Sequence, residues 1–147
     1  MSGRLLGLRC ALLLLAVAGC GKPSRSVPAG GRVMLDGKPM AGAAVLFSPV
    51  AGGVPGRATT AADGSFTLST FDVGDGAVVG LHRVGVSKMD VTGFVATADG
   101  LSGKLDGRQI KMQSFVPERY MNPATSGFEA TVERGAANRF EFALTSE

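Results

Sequence analysis

Five Asp-Gly dipeptides divide the chain into short segments and constrain its fold more than any other feature. They occupy positions 36–37, 63–64, 75–76, 99–100 and 106–107. Both residues tolerate the positive φ angles of a tight turn, so Asp-Gly between apolar runs predicts a β-hairpin. The 147 residues also include 22 glycines and 7 prolines, which disfavour long helices. An all-β domain is therefore indicated.

Between these turns, apolar residues alternate with polar ones, which is the period of a strand with one buried face. The pattern predicts seven strands, over 31–35, 43–48, 57–62, 65–70, 81–88, 128–133 and 139–144. The side chains predicted to face the core are Val33, Leu35, Val45, Phe47, Phe66, Leu68, His82, Val84, Val86, Phe128, Ala130, Val132, Phe140, Phe142 and Leu144. Seven strands at this spacing are typical of a β-sandwich.

The N-terminus has the layout of a signal peptide. Arg4 and Arg9 precede a wholly apolar run, 10–18, that is too short to span a bilayer as a helix. The next feature, Val17-Ala18-Gly19-Cys20, resembles the bacterial lipobox, in which the cysteine thiol accepts a diacylglyceryl group before cleavage. We expect residues 1–19 to be removed and Cys20 to carry the lipid. The alternative is an ordinary secretory leader with an incidental cysteine.

Lipidation at Cys20 predicts a protein anchored outside the cytoplasm. One acyl chain binds membranes only marginally, whereas the two or three implied by the lipoprotein pattern anchor stably. Residue 21 is Gly rather than Asp, which by resemblance to lipoprotein sorting in two-membrane bacteria favours the outer membrane over the inner one. The Gly-, Pro- and Ser-rich segment 20–30 is expected to be a lipidated tether, and 31–147 the domain.

The sequence blocks of the body resemble a known family. The order "VMLDGKPMAGAAVLFSP", "TAADGSFTL", "GLHRVGV" is similar to that of the carboxypeptidase regulatory-like, or transthyretin-like, β-sandwich. With a lipobox before these blocks and "VPERYMNPATSGFEATV" after them, the chain resembles the short lipoproteins of this class that are abundant in planctomycetes. The resemblance implies a seven-stranded Greek-key sandwich of the prealbumin, Ig-like kind. It implies no defined activity.

The sequence offers few groups for catalysis. His82 is the single histidine, and its inward position favours a packed structural role. One histidine without a free cysteine cannot form a typical zinc site, and no serine-nucleophile motif is present. Hydroxyisourate hydrolases resemble transthyretin but end in Tyr-Arg-Gly-Ser, whereas this chain ends "ALTSE". We expect no enzyme, metal or cofactor; a hydrolase would require His82 to be exposed beside Asp or Ser.

The segment "FDVGDG" contains two aspartates, Asp72 and Asp75, that raise the question of calcium. An EF-hand loop needs oxygen ligands at alternate positions and a distant glutamate, which are missing here. Turn formation is the preferred interpretation of both residues.

A recognition surface is expected on a long variable loop, 89–114, together with 71–80, because binding residues concentrate on loops of rigid scaffolds. The candidate contact residues are Phe94, Lys104 and Arg108. Tyr120 is a further candidate as an exposed aromatic, although the favoured interpretation is that it packs an extended crossover, predicted over 115–127, onto the sheet edge.

The predicted function is that of a non-enzymatic binding module in the bacterial cell envelope, held to the membrane by its lipid and contacting an envelope protein or glycan. Without the leader arginines, 13 basic and 12 acidic residues remain, a net charge of +1 that gives no indication of nucleic-acid binding. The alternatives are a structural spacer without a ligand and a carbohydrate-binding module. The absence of Trp and the single Tyr weaken the last.

Overall fold

The structure is a computed structural model that describes residues 25–92, 95–97, 100–102 and 111–147. The chain is predominantly β, with two four-stranded sheets and three two-stranded ones. The strands are β1 (Ser26–Val27), β2 (Ala29–Leu35), β3 (Lys38–Pro39), β4 (Ala44–Pro49), β5 (Gly56–Thr59), β6 (Ser65–Thr67), β7 (Ala77–Val78), β8 (Gly80–Ser87), β9 (Met89–Thr92), β10 (Val95–Thr97), β11 (Gly100–Ser102), β12 (Lys111–Ser114), β13 (Phe128–Val132) and β14 (Asn138–Leu144). One helical turn, α1 (Glu118–Met121), precedes β13.

The two four-stranded sheets form the body of an all-β sandwich. Sheet I has the order β13-β8-β4-β5 and is antiparallel throughout. Sheet II has β14 parallel to β2, with β3 and β6 both antiparallel to β2 at its two ends. All seven strands predicted from the alternating pattern are present, with ends that differ by up to three residues.

The tight turns follow the Asp-Gly signals. Asp36 and Gly37 both have positive φ, 48° and 77°, in the turn that joins β2 to β3. Such a pair matches the right-handed twist of the flanking strands. At the turn before β6, Gly64 has φ 78°, and the Asp63 carboxylate accepts a hydrogen bond of 3.0 Å from the Ser65 backbone N–H. The dipeptides at 36–37 and 63–64 therefore set the chain reversals that the sequence predicted there.

The faces predicted to point inward do form the core, which lies between the two sheets. Phe47 is fully buried at its centre, and its ring centroid lies 5.6–6.2 Å from those of Phe66, His82, Phe140 and Phe142. These rings come from both sheets and meet in tilted or edge contacts, the geometries that aromatic pairs prefer. Phe47 therefore links sheet I to sheet II.

The sandwich has two ends that carry different segments. We call the end that includes residue 25 and the loops 49–55, 71–79 and 133–137 the N-terminal pole. The opposite end, with the turn at 36–37 and the chain that leaves β8 after Ser87, is the arm pole. The eight residues of β8 run from one pole to the other, about 25 Å at the usual rise of a strand.

The sandwich begins before the boundary predicted at Gly31. Strand β1 pairs with β7, with Ser26 opposite Val78 and Val27 opposite Ala77. Ser26 and Val27 are both buried, so only the first part of the expected tether 20–30 precedes the fold. The composition of this segment resembles that of a linker. Its pairing as a strand gives no local signal in the sequence, because the partner residues lie about fifty positions away.

The segment after β12 was predicted to be an extended crossover and instead includes the helical turn α1. Proline at 117 is its N-cap, and proline at 123 follows it. A single helical turn between two prolines is too short to show the apolar periodicity that predicts a helix. Its individual side chains determine how it packs.

Candidate functional site at the arm

Two paired segments, 88–92 and 111–115, adjoin the sandwich at the arm pole, and we call the region that they bound the arm. Strands β9 and β12 pair antiparallel, with Met89 opposite Ser114 and Thr92 opposite Lys111. Between them in sequence, β10 and β11 form a second short ladder. A hydrogen bond of 3.0 Å from the Phe115 N–H to the Lys88 carbonyl closes the base. The described part of the expected long loop 89–114 is thus two antiparallel ladders, β9 with β12 and β10 with β11.

The arm is fixed to the sandwich by the chain that returns from it. Val116 is buried directly after the base of the arm. Tyr120, on α1, stacks on Phe128 of β13 with ring centroids 5.3 Å apart. The Tyr120 hydroxyl also lies 3.2 Å from the Thr145 hydroxyl, just after β14. Tyr120 therefore connects the end of the arm to both sheets.

Three large apolar side chains are exposed around the base of the arm: Met89, Met112 and Phe115, with Met112 64% exposed. The Lys88 ammonium lies over the Phe115 ring, 5.5 Å from its centroid. Exposed methionine and aromatic side chains next to a cation are typical of protein-contact surfaces, because methionine adapts to irregular partners.

A groove adjoins this apolar group, and we call it the arm-base groove. It has a volume of about 520 Å³, and its lining includes Leu35, Asp36, Lys38, Met40, Lys88 and Phe115. The Ser146 N–H donates a 3.0 Å hydrogen bond to the Asp36 carboxylate. This bond, and to a lesser extent nearby Lys38, lowers the pKa of Asp36. At neutral pH the groove therefore combines an apolar floor with two ammonium groups and one carboxylate.

Three of the four side chains predicted to bind a partner, Phe94, Lys104 and Arg108, lie outside the described residues, as does the predicted lipidation site, Cys20. The fourth, Tyr120, is 8% exposed. Its hydroxyl interacts with Thr145, and the Arg119 guanidinium lies 4.6 Å from its ring centroid. The Tyr120 ring is therefore packed against the fold, as the second interpretation proposed. It does not form an open aromatic platform.

The two segments expected to form one recognition surface lie at opposite poles. Residues 71–80 precede β8 and the arm follows it, so the length of β8 separates them. The surface predicted from 89–114 together with 71–80 is therefore two surfaces. One surface was predicted because the two segments are close in sequence. The fully extended strand between them, however, spans the whole sandwich and places them at opposite ends.

His82 is fully buried, as predicted for a structural histidine. Its Nε2 lies 2.8 Å from the Val78 carbonyl oxygen, and its ring packs against Phe47 at 5.7 Å. Nδ1 has no hydrogen-bond partner among the described residues. A carbonyl oxygen only accepts, so Nε2 is the donor of this hydrogen bond. Because the ring is fully buried, it is not the exposed base that a hydrolase would need.

The turn interpretation of "FDVGDG" is confirmed for Asp75. Its carboxylate accepts hydrogen bonds from the N–H groups of Thr70 (2.7 Å) and Phe71 (3.1 Å) and from the Ser26 hydroxyl (2.8 Å). Partial burial would raise the pKa of Asp75, but these donors outweigh it and lower the pKa to about 2. The carboxylate thus holds the 70–76 turn to the N-terminal segment.

Comparisons of the chain with models of protein families, with curated proteins and with solved structures found no match. Within the described ranges, no cluster of three or more His, Cys, Asp or Glu side chains is arranged to hold a metal ion. No helix in the described part of the chain has the length and apolar character needed to cross a membrane.

Four residues at the base of the arm were not predicted from the sequence: Lys88, Met89, Met112 and Phe115. A signal was present, since "KMDVT" and "KMQSF" are similar short segments on either side of a glycine-rich stretch. Their pairing as β9 and β12 is the structure that such flanking segments favour.

Proposed function

We propose that the protein is a non-enzymatic lipoprotein whose β-sandwich acts as an interaction module in the bacterial cell envelope. In this proposal residues 1–19 are a cleaved signal peptide, and Cys20 carries the lipid that holds the domain to a membrane, with the outer membrane favoured. A protein of the envelope is the favoured partner.

The observation that carries the proposal is the placement of the chain's two special segments at opposite poles. The chain enters the fold at Ser26, six residues after Cys20. The arm leaves from the other end, beyond the eight-residue β8. An anchor at one pole therefore leaves the other free to reach a partner, and the exposed Met89, Met112 and Phe115 lie there.

The chemistry of the arm supports a protein partner over a glycan. Sugar platforms rely on open aromatic faces, and the single tyrosine is packed between Arg119 and Phe128. The exposed methionines and the lysines of the arm-base groove suit a partner that presents apolar side chains next to a carboxylate.

The strand order supports the resemblance to the transthyretin-like, carboxypeptidase regulatory-like family. Among the seven strands that the sequence pattern predicted, only two consecutive pairs share a sheet, β4 with β5 and β8 with β13. The seven are β2, β4, β5, β6, β8, β13 and β14. The remaining consecutive strands alternate between sheets, an arrangement that fits a Greek-key sandwich. Membership of this family remains part of the proposal.

The proposal is tested by chemical crosslinking in native envelopes, with recovery of the protein and mass spectrometry of what is attached. The test variant is Met89→Ser/Met112→Ser/Phe115→Ser, which removes the three exposed apolar side chains of the arm. The matched control replaces residues 93–110 with Asn-Gly: because Thr92 and Lys111 are paired, a two-residue turn can join them and leave β9, β12 and these side chains in place. We expect one protein in near-stoichiometric yield with the full chain and with the shortened arm, and a clear loss of it with the serine variant; loss with the shortened arm alone would place the contact on 93–110 instead.

Two controls make the outcome decisive. Cys20→Ser should move the protein out of the detergent phase, and unchanged partitioning would contradict the lipid anchor. If no protein is enriched with the full chain, the interaction module is contradicted and a spacer is favoured; recovery of a glycan instead favours the carbohydrate-binding alternative.

A further inference from the structure

The exposed large apolar side chains are not spread evenly over the molecule. Among the described residues there are nine, and three of them belong to the base of the arm. The other six, Val50, Val54, Phe71, Val73, Val79 and Leu81, are all at the N-terminal pole. We call these six the apolar cap; Val73 is 100% exposed. A group of this kind marks a contact surface on a folded protein.

The segments that carry the apolar cap are held next to one another by backbone hydrogen bonds. The Val50 N–H donates to the Leu81 carbonyl at 2.9 Å. Arg57 and Ser69 exchange two backbone hydrogen bonds of 2.9 Å, which join the strand that follows Val54 to the segment that precedes Phe71. The cap is thus a fixed feature of one pole.

The cap is also almost free of charge. The loop 49–55 contains no charged residue, and 71–81 contains only Asp72 and Asp75. The Asp75 carboxylate is bonded to Ser26, Thr70 and Phe71 within the fold. Within these two segments a single carboxylate, that of Asp72, therefore opposes contact with an apolar medium. The loop 133–137 at the same pole adds Glu133 and Arg134, one charge of each sign.

A cation lies beside the cap, at the point where the chain enters. The Arg25 guanidinium is 5.9 Å from the centroid of the Phe71 ring. A basic side chain next to exposed aromatic and aliphatic groups is the combination that suits a bilayer surface, where the apolar groups enter the interface and the cation contacts lipid phosphates.

The length of chain before Arg25 identifies the occupant of this surface. Arg25 is five positions after Cys20, so the two can be at most about 18 Å apart even when the chain is fully extended. If Cys20 carries acyl chains, the apolar cap lies within reach of the same leaflet. We propose that the N-terminal pole rests on the lipid bilayer, with the apolar cap inserted into its interface. This inference rests on the lipid anchor of the proposed function.

The consequence is a fixed orientation. An anchor on a flexible segment alone allows the domain to tumble, whereas a cap inserted in the interface directs β8 away from the membrane. The arm then stands about 25 Å farther out, the length of that strand.

The absence of tryptophan from the sequence makes a direct test possible. Val73→Trp and Met112→Trp place one fluorescent probe at each pole, both at side chains that are mostly or fully exposed. The lipidated full-length variants are reconstituted in vesicles of phosphatidylethanolamine and phosphatidylglycerol, with and without brominated acyl chains that quench tryptophan on contact. Unchanged circular dichroism and urea midpoints confirm that each variant is folded.

We expect Val73→Trp emission to shift to shorter wavelength and to lose most of its intensity in brominated vesicles, and Met112→Trp emission to do neither. Vesicle flotation separates the two claims. A chain that floats but shows no quenching at Val73→Trp overturns the orientation while leaving the anchor intact. A chain that fails to float overturns the anchor and the orientation with it.

The remaining outcomes also decide against the inference. A short-wavelength emission at Val73→Trp without quenching indicates that a protein, such as a second copy of the chain, covers the cap. Equal quenching at both positions indicates that the domain has no fixed orientation on the bilayer.

Discussion

The two poles of the sandwich expose apolar surface in different ways. At the N-terminal pole, aliphatic side chains and Phe71 extend from turns that are nearly free of charge. At the arm pole, Met89, Met112 and Phe115 lie among lysines on a paired ribbon. A lipid surface accepts an uncharged, chemically uniform patch, whereas a protein partner is selected by mixed apolar and charged groups. One small fold can therefore carry two separate contact functions.

Both poles are expected to belong to one cooperative folding unit. The substitution with the largest expected loss of stability tests this. Phe47→Ala removes the ring that joins sheet I to sheet II, and a cavity of this kind costs about 3–5 kcal/mol of the free energy of unfolding. Urea denaturation followed by circular dichroism measures it. Phe71→Ala, at a 44% exposed ring, is the control and should cost less than about 1 kcal/mol. Equal losses would contradict the shared core.

The N-terminal pole depends on one carboxylate, and Asp75→Asn should destabilise the protein by about 1–2 kcal/mol at pH 7, allowing for the partial exposure of this group. The folded pKa of Asp75, about 2, lies below its ordinary value of 3.8. The stabilisation is therefore present above pH 4 and is lost as the pH falls toward 2.

Urea titrations of the native protein and of Asp75→Asn between pH 7 and pH 2.5 check this prediction. The difference between them should shrink to a minor part of its neutral value at the acid end. Asp72→Asn is the matched control, since the Asp72 side chain is exposed. A difference that stays constant with pH would show that the Asp75 charge does not hold the turn.

The Tyr120 hydroxyl is expected to stabilise the arm pole as the Asp75 carboxylate stabilises the N-terminal pole. The expected loss of stability on its removal is smaller. Tyr120→Phe keeps the stack on Phe128 and removes the hydroxyl shared with Thr145, a loss of about 1 kcal/mol. Hydrogen exchange should become faster at Val116 and in the adjoining part of β12. Thr145→Val removes the same contact from the other side, so the double variant should lose less than the sum of the two single losses; strictly additive losses would contradict the pairing.

The smallest effects are expected at the exposed side chains themselves. Val73→Ser and Met112→Ser should each change the free energy of unfolding by less than about 0.5 kcal/mol, because both side chains are mainly in contact with solvent. Thermal or urea midpoints measure this. A clear destabilisation at either position would show that the side chain packs within the fold, and its role as a contact group would have to be withdrawn.

Much of the body of the fold could be predicted because its signals are local. The period-two faces around Phe47 and Val84 and the Asp-Gly turn at 36–37 each arise within a few residues. The pairing of Ser26 with Val78 has no such signal, because the partners are 52 positions apart and each strand has two residues.

The candidate site was harder to predict for the same reason. The full length of β8, and the identity of the strands that flank it, place 71–80 and the arm at opposite poles. The apolar cap in turn depends on three segments that meet only in the folded chain, so neither surface could be recognised from any single stretch of sequence.

The central claim is that the N-terminal pole contacts lipid and the arm pole contacts protein. A photoreactive phenylalanine analogue placed at position 73 or at position 112 of the lipidated chain in native envelopes tests it most directly. We expect crosslinks to phospholipid from position 73 and to one envelope protein from position 112. Protein crosslinks from position 73 together with lipid crosslinks from position 112, or the same products from both, would contradict the account.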